Sequence, residues 1–203
     1  MDPTASRLLE VWFGPLGSEP PVGRWFRKDP AFDAELRAAF GDDLDAAARG
    51  ERDAWITAEA PARGLLALVI LLDQLSRNVF RDTPRAFSQD ARALALAVRA
   101  VDEGLDRALP WLERYALYMP FMHAEDRGAQ ARGIELFTRA ADEADAGGAP
   151  EGTRKLLRGA VDYAKQHAVI VERFGRFPHR NAMLGRASTA EELAFLEQPG
   201  SRF

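Results

Sequence analysis

The longest unbroken apolar run, Leu65 to Leu72, narrows most sharply what this chain can become. It is far short of the ~20 residues that a bilayer-spanning helix needs. It is also apolar on every side, which suits a helix enclosed by other helices rather than one lying on a surface. The rest of the sequence agrees. Ala, Leu, Glu and Arg dominate, apolar residues recur at helical spacing, and no run of alternating β-branched residues marks a strand. The predicted class is all-α, with roughly eight or nine helices joined by short connections.

Breakers and caps divide the helices. A short helix is expected over Ser6–Trp12, stopped by Gly14-Pro15, and the Gly- and Pro-rich residues 14–24 read as a loop. Helices follow over Pro30–Phe40 and Asp42–Arg49, and Trp55 sits in a linker ending near Pro61. The enclosed helix covers Arg63 to about Arg77, and Asp82-Thr83-Pro84 breaks the chain. Residues 87–103 form an amphipathic helix closed by Gly104. Pro110 opens a short helix that should stop before Pro120. Two long helices, Glu125–Asp145 and Thr153–Arg173, flank the turn Gly147-Gly148-Ala149-Pro150, and a last one follows Ser188, which has capping-box spacing to Glu191.

Composition excludes several functional classes. At 203 residues with 47% hydrophobic content, the chain can bury one core, and a single domain over 1–203 is expected. Lys and Arg total 27 against 31 Asp and Glu, for a net charge of -4. Constitutive nucleic-acid binders usually carry a clear basic excess instead. Cysteine is absent, so disulfide scaffolds, thiolate metal sites and Cys nucleophiles are ruled out. The acidic start Met1-Asp2 with no apolar stretch behind it gives no secretory signal, and a cytoplasmic location is expected.

Function is carried, if anywhere, by polar residues in apolar register. Leu66, Ile70, Asp73 and Arg77 share one line of the enclosed helix, with Gln74 and Asn78 beside them. Asp126 and Gln130 share a stripe with Ile134, Phe137 and Ala141. His167 lies in core register with Tyr163, Ile170 and Phe174. The segment Phe174-Gly175-Arg176-Phe177-Pro178-His179-Arg180-Asn181 then breaks the helix. All three histidines, His123, His167 and His179, belong to these segments. Between Glu172 and Glu191 there is no acid, while Arg173, Arg176, Arg180 and Arg186 supply four positive charges.

Buried ions must be paired, so Asp73, Arg77, His123, Glu125, Asp126, His167 and the 176–181 loop are expected to meet in space. Two readings follow. In one, arginines of the loop clamp helix carboxylates and the cluster is purely structural. In the other, Arg77, Arg176 and Arg180 hold a small anionic or carboxylate-bearing ligand that His123, His167 and His179 orient. Asp73 and Glu125 position those bases, and Gln74, Asn78, Gln130 and Asn181 complete the site.

Several stretches carry a resemblance. Val11-Trp12-Phe13-Gly14, Arg24-Trp25-Phe26, Leu71 through Arg81, Tyr118 through Asp126 with Gln130, Phe174 through Asn181, and Leu184-Gly185-Arg186 are, together and in this order, similar to a bacterial all-helical family of unknown function. Leu75-Ser76 stands where that family has Phe-Pro, and Ala124 where it has Ser. The resemblance implies a tetratricopeptide-like array of antiparallel helix pairs. It brings no reaction, ligand or catalytic residue.

Other chemistries find little support. His-Glu-x-x-His, phosphate-binding glycine loops and a Gly-x-Ser-x-Gly elbow are all absent, and no cofactor is implied. A metal on the three histidines would be repelled by the nearby arginines. Phe174 and Phe177 among arginines suggest a loop anchor more than RNA contact, so neither nucleic acid nor membrane is expected as partner. Trp12, Phe13, Trp25 and Phe26 read as core staples, and the Ala-rich face of residues 91–100 suits close approach within the chain or across a homodimer. The alternative to ligand binding is a non-catalytic module that holds a protein or peptide on a concave helical surface.

Overall fold

The computed structural model describes residues 1–15, 22–25 and 27–201, and no strand occurs among them. Two compact units emerge, one formed by residues 1–81 and 85–120, the other by 82–84 and 121–203.

In the first unit, α1 (Pro3–Phe13) is capped by Asp2, whose carboxylate accepts the N–H groups of Thr4 and Ala5 at 2.8 and 3.2 Å. The short α2 (Val22–Trp25) replaces the end of the expected 14–24 loop, while residues 16–21 lie outside the described residues. Trp12 and Trp25 stack at 5.8 Å, and the Trp25 indole donates to the Trp12 carbonyl at 2.8 Å. Phe13 meets Trp25 edge-on and Tyr115 stacks on it at 6.1 Å, so these aromatics staple the interior. Phe26 lies outside the described residues.

The helix α3 (Pro30–Ala48) corrects the expectation of two separate helices, since it runs unbroken through Gly41. A Cβ at Gly41 would meet only the Arg37 side chain at 3.8 Å. Nothing there requires glycine. Gly41→Ala is therefore expected to stabilise the protein by about 0.5–1 kcal/mol through helix propensity, read as a raised urea midpoint.

A tight turn at Asp53–Trp55 leads into α4 (Pro61–Val69). The chain stays helical from there through a π-helical turn (Ile70–Leu75) and α5 (Ser76–Val79). Every side chain from Leu65 to Leu72 is buried, as the apolar run requires. The π turn was not expected; it inserts an extra residue per turn, so that Asp73 and Gln74 are both buried. On α6 (Asp90–Asp102), Ala93, Ala97 and Ala100 are fully buried, and the helix packs on α4, so the small-residue face is used inside the chain.

The helix α7 (Trp111–His123) does not stop before Pro120 but passes through it. Proline removes one backbone donor at a cost of about 3 kcal/mol. Here Leu117, Tyr118 and Phe121 are completely buried around it, and that packing outweighs the loss.

In the second unit, α8 (Arg127–Ala146) and α9 (Glu151–Phe174) pack along one another across the turn at Gly147-Gly148. The start of α8 falls at Arg127 rather than Glu125, because Asp126 is the cap and accepts the Ala129 N–H at 2.7 Å. Gly175 ends α9 in the left-handed region, at φ 69°, and turns the chain toward Arg176. The last helix, α10 (Ala190–Leu196), has a capping box, but it is formed by Thr189 and Glu192 rather than Ser188 and Glu191. The Ser188 hydroxyl is occupied elsewhere, accepting from Asn181 at 3.0 Å.

Candidate functional site

The polar residues singled out in the sequence fall into two groups, one in each unit. In the first unit Asp73 is 0% exposed and accepts a hydrogen bond from the Gln74 amide. Arg77, one helical turn on, lies 3.1 Å from the Asp73 carboxylate and forks onto Asp90 at 2.9 and 3.0 Å. Burial alone would lower the Arg77 pKa, but Asp73 and Asp90 hold the guanidinium charged. Asn78 and Arg81 both bind Asp33, at 2.8 Å each in their closest contacts. Burial would raise the Asp33 pKa, yet those two donors keep it below the usual carboxylate range. Every charge named in this first group has a partner of opposite sign, as in a structural clamp.

The second group is built around the buried ring of Phe177, placed by the turn that Gly175 permits. His167, on α9, is 4% exposed and meets Phe177 edge-on at 5.5 Å. The His179 ring lies 5.7 Å from Phe177, and the Arg180 guanidinium sits over the same ring at 4.5 Å. Arg180 also donates to the His123 carbonyl at 3.1 Å. His167, His179 and Arg180 thus meet on the Phe177 ring, and Arg180 reaches the backbone of His123. Burial pushes the His167 imidazole down to about 3, and the positive neighbours His123, Arg180 and His179 push the same way, against a bond to the Tyr163 carbonyl at 2.8 Å. A carbonyl only accepts, so neutral His167 carries its proton on Nδ1.

Two acids border this group, and both are held. Glu125 accepts a fork from Arg186 at 2.5 and 2.8 Å and the Phe177 N–H at 2.8 Å. Burial raises the Glu125 carboxyl, but Arg186 and the Phe177 N–H outweigh it and leave the pKa lowered. Arg176 forks onto buried Glu192 at 2.7 and 2.8 Å and holds that carboxyl at about 2. Asn181 is fully buried; it accepts from Arg186 at 3.0 Å and donates to Ser188. Glu125→Gln keeps the shape but removes the charge under the Arg186 fork. It is expected to cost about 2 kcal/mol in urea denaturation.

Not every predicted member belongs. Asp126 is exposed and spent on capping α8, although the sequence placed it on the core stripe. Gln130 is buried and donates to the carbonyls of Met122 and Ala124, both at 2.7 Å, so it ties α8 to the end of α7. Arg176 is committed to Glu192. Three residues the sequence did not assign to the cluster prove central: Arg186, Ser188 and Glu192. The acid-free run from Arg173 to Arg186 was the available signal for Arg186, since a surplus of cations needs carboxylates from elsewhere. Among the described residues, no group of three His, Asp or Glu side chains is arranged to hold a metal ion.

Comparison with known proteins matches this architecture to a family without an assigned activity. Residues 8–200 match the family described as bacterial protein of unknown function (DUF924). The solved structure of a protein of unknown function from Agrobacterium tumefaciens is 38% identical, with a TM-score of 0.73, over 95% of this chain and 96% of that one. No curated protein matches the chain. With nearly its whole length matched in one register, this chain belongs to the DUF924 family.

Proposed function

We propose that the second unit binds a small anion, a phosphate- or carboxylate-bearing molecule, at the face formed by Arg180, His123 and His179. The observation that carries this reading is the meeting of Arg180 and His179 on the buried Phe177 ring, with the Arg180 guanidinium 4.5 Å and the His179 ring 5.7 Å from it. Beside them Arg176 and Arg186 are each forked onto a carboxylate, that of Glu192 and that of Glu125. Arginine suits planar anions because its fork matches two oxygens at once. His123 and His179 are only half-buried, so they can reach a ligand and exchange protons with it, whereas His167 is enclosed and supports the ring packing.

The test is thermal denaturation of the full chain with inorganic phosphate, citrate and glutarate in turn. An anion at a hundred times its Kd adds about 2.7 kcal/mol, or a Tm rise of about 5–10 °C. One class of anion should stabilise the protein specifically, and Arg180→Gln should remove the effect. If no anion moves Tm beyond what salt alone does, the arginines are clamps only and the protein- or peptide-holding alternative takes precedence.

A further inference from the structure

A groove of about 490 Å³ runs between α8 and α9 in the second unit, within the size range of small-molecule sites. Its floor is apolar, formed by Ala131, Ile134, Ala168 and Val169, and Val169 stands 67% exposed. Three cations and one acid border it: Arg127, Lys165, Arg173 and Glu172. These charges are not equally committed. Arg127 lies 3.3 Å from Glu172, and Arg173 lies 2.8 Å from Glu191. Lys165 makes no ion pair among the described residues.

A buried acceptor also belongs to a residue that borders the groove. Gln130 lines the groove and is 2% exposed. Its amide nitrogen is spent on the Met122 and Ala124 carbonyls, which fixes the direction of the amide. Its Oε1 is buried and accepts no hydrogen bond. Buried acceptors left this way are rare and point to a missing donor.

We infer that this groove binds a small aromatic carboxylate that carries its own O–H or N–H donor. The ring lies on the flat strip left by Ala131 and Ala168, between Ile134 and Val169. The donor meets Gln130 Oε1, and the carboxylate lies beside Lys165. Lys165 is one helical turn before Val169, about 6 Å along the axis, which is close to the length of a single substituted ring. An acid without a donor would leave the Gln130 oxygen unmet, and a neutral aromatic would leave Lys165 without a counter-charge. The site uses neither Arg180 nor the Phe177 cluster, so it stands or falls separately from the anion site.

The probe is 4-hydroxyphenylacetate, with phenylacetate as the control that lacks the donor. Methyl resonances of Ile134 and Val169 in the full chain report occupancy by NMR. Saturable shifts are expected with the hydroxylated acid, and binding about tenfold weaker with phenylacetate. Lys165→Glu lies on the surface and leaves the fold intact; it should weaken binding about tenfold or more, while Arg180→Gln should leave it unchanged. Absence of saturable shifts up to about 10 mM would overturn the inference. So would equal affinity for the two acids, indifference to Lys165→Glu, or loss of groove binding in Arg180→Gln.

Discussion

Lowering the pH from 6.5 to 4.5 is expected to destabilise the second unit by about 2 kcal/mol through His167 alone. In the unfolded chain this imidazole takes up its proton near its ordinary value of 6.5, whereas in the fold it resists protonation down to about 3. Stability from the neutral ring is therefore complete above pH 6.5. It is lost steadily as pH falls toward 3, at about 1.4 kcal/mol per unit, because the unfolded state gains a proton that the native state refuses. The cause is enclosure: the ring lies against Phe177, beneath the positive charges of Arg180 and its companion histidines. Urea midpoints at pH 7, 6 and 5 would display the slope, and His167→Leu should flatten it. Parallel curves for wild type and variant would mean that the ring titrates normally. Below about pH 4.5 further loss is expected as Glu125 and Glu192, whose lowered pKa values stabilise the fold above that point, take up protons.

Gly64→Ala is expected to cost about 3 kcal/mol or more, a change opposite in sign to that at Gly41. Both glycines lie in helices, and propensity alone would favour alanine at either by up to about 1 kcal/mol. At Gly64, however, an added Cβ would clash with the Trp55 carbonyl oxygen and stand 2.8 Å from the Ile56 Cα. These are backbone atoms of the turn against which α4 packs, so no flexible side chain can yield. The turn or the helix must move, and Trp55, buried beside it, moves with them. Urea denaturation of the two variants side by side separates the effects. A neutral Gly64→Ala would mean that α4 and the Asp53–Trp55 turn have room to part.

Helical periodicity made much of the interior legible. It placed Leu65–Leu72 and Asp73 inside, and it put His167 and Ile170 in core register, because a 3.6-residue repeat leaves a continuous run no outward face. It misplaced Tyr163, which is 54% exposed, since a side chain at the edge of an amphipathic stripe faces water as easily as protein. Boundaries failed where one interaction competes with another. Ser188 and Thr189 are equally good caps by type, and the bond from Asn181 to Ser188 leaves the role to Thr189. Pro120 and Gly41 are breakers by propensity, but burial carries the helix through the first and nothing opposes it at the second.

The polar clusters were legible as surplus, not as pairs. A chain with four arginines and no acid from Arg173 to Arg186 must borrow carboxylates. Which ones it borrows depends on contacts such as Arg186 to Glu125, 61 positions apart, and no local pattern encodes those. The same holds for Asp90 under Arg77 and Asp33 under Arg81, acids that look like ordinary helix-surface residues in sequence.

The anion site is tested most directly by following the ring resonances of the three histidines while inorganic phosphate is added at constant ionic strength. His123 and His179 should shift together and saturate, His167 should respond little because it is enclosed, and Arg180→Gln should abolish the response. Histidine resonances that stay unmoved in a folded wild-type protein, or that drift identically with phosphate and chloride, would contradict an anion site at this cluster.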